Sequence, residues 1–388
     1  MREPPCGGFP WGTRQNWTLT KGNVNMKILE IVPTLRPGGG ERLVVDLCNE
    51  LAKTHDITLM TLWDDQLHDY SFYKQSLSTS VHYVNIKAGE KKRLSVMWAF
   101  VKFICLIKPD IVHLHMCHMF ALLAILLLGK NYVFYLTIHN DVKSTYAQRK
   151  HKIIFNFFGK LGILKFITIS KTNYDDFSEI YPGLYNHLVY NGRAPLYKTE
   201  KFDVVSKEIN TLKVSANTKI FLHIARCSPQ KNQKLLIEAF NLFVAGGNDA
   251  ILIIIGAHFN DRDRGICLQK LACNRIHFLG TRTNIADYIF NADAFCLSSI
   301  FEGMPITLIE CFNSGVPVIS TPVCGIVDVI QDGKNGILSR DYSIESYIDS
   351  FNRFLKYEET IRLYCAQIKD KSPFTITNCA NEYLKIFS

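Results

Sequence analysis

Short, continuously apolar runs alternate with segments of helical period along most of this chain, and the alternation comes in two series. The first has strand-like runs at 26–33, 57–62, 81–86, 110–115, 132–138 and 166–170, with helical segments at 40–53, 94–107 and 145–161. The second follows a turn-rich break, Tyr190-Asn191-Gly192-Arg193-Ala194-Pro195. It has strands at 219–225, 250–255, 276–279, 294–297 and 316–320, with helices at 231–243, near 264–272 and at 285–290. Strands linked through helices run parallel, and a parallel sheet must be covered on both faces. The pattern therefore predicts an α/β protein whose ligands sit at the carboxyl ends of its strands. At 388 residues there is room for two separate cores.

The most informative stretch is 299–325, SIFEGMPITLIECFNSGVPVISTPVCG, read as a loop, a short helix and a strand. Pro305 suits a first helical turn, where its missing N–H has no partner to lose, and Gly315 suits the left-handed residue past the helix end. Ile306, Leu308, Ile309 and Phe312 share one apolar arc, with Glu310 at its edge. That carboxylate faces partly inward and needs a partner. Glu302 precedes it by eight residues, about 12 Å if the span were helical. Two carboxylates so placed cannot share one proton or one metal, but they can grip two ends of an elongated, hydroxyl-rich ligand. The N–H groups of Gly303 and Met304 offer an anion site between them.

This stretch, EGMPITLIE, resembles the E-x7-E signature of the retaining group 1 (family 4) glycosyltransferases, and the tail GVPVIST…GIVDVIQDGKNGIL continues the likeness through Leu338. The resemblance covers roughly 26–338 and is strongest at 224–240 and 298–338. It implies the GT-B arrangement, two Rossmann-like α/β/α domains facing across a cleft. The acceptor domain would span 26–192, the nucleotide-sugar donor domain 193–373, and a last helix in 374–388 would cross back to the first. The implied reaction moves a sugar from a nucleoside-diphosphate sugar, UDP- ahead of GDP-, to an acceptor hydroxyl with retained configuration. A hexosyl or N-acetylhexosaminyl group is implied, with an acceptor in bacterial surface polysaccharide, lipopolysaccharide or lipid-linked oligosaccharide synthesis. No cofactor or metal is implied beyond the nucleotide-sugar co-substrate. Glu302 would hold sugar hydroxyls, Glu310 both ribose hydroxyls, and Gly303, Met304, Pro305 and Ile306 would line the donor site.

The run HIARCSPQKNQKLLIEAF at 223–240 adds the cations. Arg226 is read as ending a strand and Lys231 as opening a helix, where a positive charge is unfavourable unless an anion meets it. The resemblance makes them the clamp on the leaving diphosphate, with Arg226 as a fork and Lys231 as a point charge. In the first half, Pro37-Gly38-Gly39-Gly40-Glu41-Arg42 opens a helix after the first strand, so the backbone of Gly39 and Gly40 can approach a ligand. Family members have a similar loop facing the donor diphosphate and acceptor. His139 follows a strand directly, where the family commonly has a histidine close to the transferred sugar or its phosphate. His113, His115 and His118 form H-x-H-x-x-H. His113 is expected to pack inside and His115 to line the acceptor side of the cleft; apart from Cys117, the sequence shows no carboxylate or thiol beside them, so no metal site is expected. Asp261-Arg262-Asp263 is a D-x-D in a polar loop and is not read as a metal site either.

The net charge of +9 divides as +7 over Met1–Tyr190 and +2 over the remainder, which suggests an anionic partner for the first half. Between Lys143 and Lys171 lie seven basic residues and no acidic one, interleaved with Ile153, Ile154, Phe155, Phe157, Phe158, Leu161 and Leu164. Such a segment can lie on an anionic membrane surface, or simply pack a core with a solvated basic edge. No nucleic-acid motif accompanies the charge. Twelve cysteines with no C-x-x-C pair argue for reduced thiols in a cytoplasmic protein, peripheral to the membrane at most. The first 25 residues carry no signal-peptide core and read as disordered or as a start-site extension. Two rival functions stand beside glycosyl transfer. A nicotinamide-dependent oxidoreductase would need a last glycine where G-x-G-x-x-G counted from Gly38 has Leu43. A non-catalytic nucleotide-sugar or carbohydrate-binding protein would not need the full Arg–Lys–Glu–Glu set.

Overall fold

The computed structural model describes residues 25–66, 69–88, 93–115 and 119–388. Most of the N-terminal segment, together with His118 and Cys117, lies outside them. In the first half the order is β1 (Lys27–Val32), α1 (Gly39–Leu51), β2 (Asp56–Trp63), β3 (His82–Ala88), α2 (Arg93–Ile107), β4 (Ile111–His115), α3 (Met119–Leu128), β5 (Phe134–Ile138), α4 (Val142–Tyr146), α5 (Arg149–Lys160), β6 (Leu164–Thr168), α6 (Lys171–Ile180) and β7 (Asn186–Leu188). These strands form one parallel sheet in the order β3-β2-β1-β4-β5-β6-β7. The chain starts in the middle, grows to one edge, then returns across the centre to build the other. The crevice where this order reverses lies between β1 and β4, and their carboxyl ends carry the glycine loop and the histidines.

The second half repeats the scheme. α7 (Phe202–Leu212), β8 (Lys219–Ile224), α8 (Gln233–Ala245), β9 (Ala250–Ile255), α9 (Asp263–Leu271), β10 (Ile276–Gly280), α10 (Ile285–Asn291), β11 (Ala294–Leu297), α11 (Ile306–Ser314), β12 (Val318–Ser320), β13 (Gly336–Leu338), α12 (Ile344–Ile368) and α13 (Ile376–Phe387) follow in turn. The sheet order is β10-β9-β8-β11-β12-β13, again parallel, with its reversal between β8 and β11. Both sheets are sandwiched: β9 is buried at every position, AILIII, as a strand covered on two faces must be.

α13 packs against α1, and the Tyr135 hydroxyl of β5 donates to the Ile386 carbonyl at 2.9 Å. The chain thus passes between the two lobes twice, and the two passages are bonded side by side: Arg193 N–H donates to Phe374 O at 3.0 Å and Ile376 N–H to Arg193 O at 3.2 Å. A Cβ on Gly192 would stand 2.3 Å from the Thr375 carbonyl oxygen, so only glycine lets the passages approach this closely.

Local expectations needed adjusting in several places. The single helix expected over 145–161 is two, α4 and α5, because Ala147 and Gln148 turn the chain between them. Pro305 is the extended residue before α11, not part of its first turn, whereas Gly315 closes the helix in the left-handed region at φ 71°. β8 ends at Ile224, two residues short of Arg226; Lys231 ends a 3₁₀ turn, Pro229–Lys231, and α8 begins only at Gln233.

Candidate functional site

Lys231 and Glu302 meet where the loops after β8 and β11 run together. Lys231 Nζ lies 2.5 Å from Glu302 Oε1, and the Ser299 hydroxyl donates to the same oxygen at 2.6 Å. The backbone is stitched as well: Ile300 N–H donates to Gln230 O at 2.9 Å, the Gln230 side chain to Phe301 O at 3.0 Å, and the Ser298 hydroxyl to Lys231 O at 2.8 Å. The anion that Lys231 requires is thus supplied by the protein itself. Both side chains are largely buried, which strengthens their attraction relative to an exposed pair. Arg226 stands exposed on the same loop, and its charge is felt at the Glu41 carboxyl. Burial pushes that carboxyl up, with Arg36 and Arg226 opposing.

Gly303, the residue after Glu302, is one of the points where the lobes touch. A Cβ there would sit 2.1 Å from the His139 carbonyl oxygen, and a Cβ on Gly325 would sit 1.5 Å from the Gly303 carbonyl oxygen. Glycine at 303 therefore lets the His139 main chain of one lobe pack against the residue that follows Glu302 in the other. On the far side, Gly39 opens α1 with its Cα facing Ile306 at the start of α11, a Cβ being 3.4 Å from Ile306 Cγ1. Gly40 follows in the first turn of the same helix. Glu302 to Ile306 is buried throughout, with Met304 O accepting from the Asn191 amide at 2.9 Å.

Behind His139 lies a cluster that sequence reading missed. Glu30, in the middle of β1, is fully buried, and its Oε2 is 2.7 Å from His115 Nε2 and 2.9 Å from His113 Nδ1. His115 Nδ1 is in turn 2.9 Å from His139 Nε2, and His113 Nε2 is 2.7 Å from the Thr137 hydroxyl. His113 packs inside as expected. His115 does not line the cleft: it is 1% exposed, turned inward by the carboxylate of the neighbouring strand. The expectation that no carboxylate accompanies these histidines is likewise corrected, because β1 and β4 are adjacent and Glu30 pairs in register with His113. Burial pushes the Glu30 carboxyl up, but His113 and His115 outweigh it and hold the group at about 2. Burial, aided by the charge of His113, takes His115 down to about 4 against the opposing pull of Glu30, and burial drives His139 well below the usual histidine range. Glu30, His113 and His115 each bring one atom to within 4.8 Å of the others, a spacing that would also suit a metal ion.

Glu310 finds its partner in Arg193, which reads in the sequence only as part of the interlobe turn. Arg193 Nε donates to Glu310 Oε1 at 2.7 Å, and its Nη1 donates to Asp46 Oδ2 of α1. Arg42 Nη2 donates to the other Asp46 oxygen at 2.6 Å. Glu310 is 1% exposed, and its Oε2 has no hydrogen-bond partner among the described residues. Burial pushes its carboxyl up, with Arg193 opposing. Of the expected set, then, Lys231 meets Glu302, Gly303 packs on the His139 carbonyl, Gly39 faces Ile306, and the Arg226 charge reaches Glu41. Glu310 belongs to a separate ion cluster at the crossing between lobes. The D-x-D does not converge: Asp261 pairs with His258 at 3.0 Å and Asp263 opens α9.

Two family models divide the chain along this same line. Residues 37–193 match Glycosyltransferase Family 4, and residues 205–370 match Glycosyl transferases group 1. An uncharacterised glycosyltransferase of Methanocaldococcus jannaschii is 26% identical over 370 residues, spanning 82% of this chain and 90% of that protein. The UDP-Gal:alpha-D-GlcNAc-diphosphoundecaprenol alpha-1,3-galactosyltransferase of Escherichia coli is 27% identical over 146 residues, 37% of this chain and 38% of its own length. Among solved structures, Anabaena HepE in complex with UDP and glucose superposes with a TM-score of 0.75 at 18% identity, covering 93% of this chain and 99% of that one. Two facing parallel-sheet lobes with the paired motifs between them, one matched over 37–193 and the other over 205–370, make this chain a member of the group 1 (family 4) glycosyltransferases with the GT-B fold.

Proposed function

We propose that this chain moves a sugar from a nucleoside-diphosphate sugar, a UDP-sugar first, to an acceptor hydroxyl with the anomeric configuration retained. The observation that carries the reading is the Lys231–Glu302 contact, a cation and a carboxylate held one residue before the point where Gly303 meets the His139 carbonyl of the other lobe. As the sugar–phosphate bond breaks, negative charge grows on the leaving diphosphate. Lys231, largely buried, and the exposed Arg226 would meet that charge where it develops. Donor entry would exchange the Lys231–Glu302 pair for two new ones, phosphate on Lys231 and sugar hydroxyls on Glu302, with Ser299 keeping the carboxylate oriented. Glu310 would then offer Oε2 to the ribose while Oε1 stays with Arg193. The acceptor hydroxyl's proton would go to the leaving phosphate. With two cations neutralising the diphosphate, the reaction proposed is metal-independent, so turnover should be unchanged by EDTA.

The acceptor proposed is a lipid-linked or surface glycan of bacterial type; the Escherichia coli relative is named for a diphosphoundecaprenol-linked sugar. No helix among the described residues is long and apolar enough to cross a membrane. The membrane-facing surface proposed is α5, with Ile153, Phe157 and Leu161 exposed beside exposed Arg149, Lys150, Lys152 and Lys160. Three other cations of the basic stretch are already engaged: Lys143 with Asp176, Lys171 with Asp175, and Lys165 over the Tyr135 and Tyr185 rings. Lys150/Lys152/Lys160→Glu should abolish co-sedimentation with anionic liposomes, and unchanged binding would remove the membrane role. A panel of nucleotide sugars, screened by thermal shift and then by release of nucleoside diphosphate, tests the reaction. Glu302→Ala and Lys231→Ala should each lower turnover by about 10²-fold or more. Full activity in either variant would sink the assignment.

A further inference from the structure

A carboxylate in the middle of a central strand is expensive, and among the described residues Glu30 has neither lysine nor arginine as partner. Its contacts are imidazoles, His115 at 2.7 Å and His113 at 2.9 Å. Hydrogen-bond logic then fixes protons along one line. The carboxylate can only accept, so His115 Nε2 must carry the proton. A neutral His115 has one N–H, so its Nδ1 is a lone pair and must receive the proton of His139 Nε2, 2.9 Å away. His139 is left with Nδ1 unprotonated, and that atom makes no hydrogen bond among the described residues. The alternative, a doubly protonated His115 donating both ways, is opposed by its complete burial, which takes it down to about 4. On the other side His113 Nδ1 stands 2.9 Å from the carboxylate without hydrogen-bond alignment, while its Nε2 pairs with Thr137, whose hydroxyl is 3.1 Å from the Tyr383 hydroxyl of α13.

We propose that Glu30 is a positioning residue that sets the tautomer of His139 through His115, so that His139 presents a hydrogen-bond acceptor to the substrate. An acceptor nitrogen accepts a hydrogen bond from a hydroxyl and repels a phosphate oxygen, which has no hydrogen to offer. His139 therefore reads a hydroxyl of the transferred sugar or of the acceptor and makes no contact with the diphosphate. This rests on the glycosyl-transfer reading for the identity of the ligand; the tautomer itself does not.

The test separates the two. In full-length protein labelled with 15N-histidine at neutral pH, a long-range 1H–15N spectrum, with His139 assigned by the His139→Gln variant, should show His139 protonated on Nε2 and bare on Nδ1. A proton on Nδ1 in the unaltered protein overturns the proposal whether or not any sugar is transferred. In Glu30→Val the His139 signal should become a mixture of tautomers and kcat/KM for the nucleotide sugar should fall about tenfold, as for loss of one oriented hydrogen bond. In Glu30→Gln, whose amide oxygen can still accept from His115, both should recover. A fixed tautomer in Glu30→Val would also overturn it. An unaltered protein that shows the expected tautomer but transfers no sugar would refute the reaction and leave the relay standing.

Discussion

Replacing Arg193 by alanine should be among the most damaging single changes outside the reaction site. Arg193 is 7% exposed and joins Glu310 of α11 to Asp46 of α1. Asp46 keeps Arg42 at 2.6 Å when Arg193 is removed, but Glu310 keeps only the more distant charge of Arg42: its Oε2 has no hydrogen-bond partner among the described residues. A buried ion pair broken on one side typically costs about 3–5 kcal/mol, chiefly the penalty of the carboxylate left behind. With about 2–4 °C lost per kcal/mol for units of this size, the melting temperature should drop by about 6–20 °C. Because an orphaned carboxylate escapes its penalty by taking up a proton, the deficit should shrink in mildly acidic buffer. Equilibrium urea unfolding of Arg193→Ala, Arg193→Met, Glu310→Met and the double methionine variant measures the terms. The double variant should be more stable than Arg193→Met, with a coupling energy of about 2 kcal/mol or more. A deficit under about 1 kcal/mol in Arg193→Ala, or additive methionine effects, would refute the reasoning.

Other consequences are more local. Gly303→Ala should destabilise by about 1–3 kcal/mol and abolish turnover, since its methyl would meet the His139 carbonyl oxygen at 2.1 Å; wild-type melting and activity would disprove the contact. Stability should fall in acid. His115 and His223, both held at about 4, are neutral when folded but take a proton when unfolded below about 6.5, so stability present above that pH is lost as it falls towards 4. The loss is on the order of 3 kcal/mol for each, and Glu30, held at about 2, adds to it below about 4.5; urea midpoints that stay level between pH 7.5 and 4 would contradict this. Asp328 of the second lobe accepts from the Thr172 N–H at 3.0 Å and its hydroxyl at 2.7 Å, at the start of α6. Asp328→Ala should loosen the seam between lobes and raise the radius of gyration in solution scattering, and an unchanged scattering curve would count against a latch there.

The repeating architecture was legible because it depends on short-range pattern: apolar runs, helical period, Gly315 past a helix end. Lys231 reads in the sequence as a cation opening a helix; it ends a 3₁₀ turn instead, and its charge is met by Glu302. Glu30 was not legible, and the reason is topological. Its partners lie 83 and 85 positions later, and only the strand order, with β1 beside β4, brings them into register. The one available signal was the charge itself, a glutamate inside the apolar run KILEIV, where burial demands compensation. Arg193 hid among turn residues, since nothing local shows that a residue between two lobes is buried. The predicted inward tilt of Glu310 implied a partner without saying which, because the partner comes from outside the motif.

The double passage between lobes restricts how this molecule can open. A single linker behaves as a string and allows swinging, twisting and sliding alike. Two strands of chain locked to each other at Arg193 and Thr375 behave as a pair of knuckles on one pin. Swinging about that pin remains cheap, while twisting would tear the bonds between Arg193 and its neighbours Phe374 and Ile376. The faces that carry His139 and Glu302 should therefore part and return along one arc, and each return should bring the same atoms back into opposition.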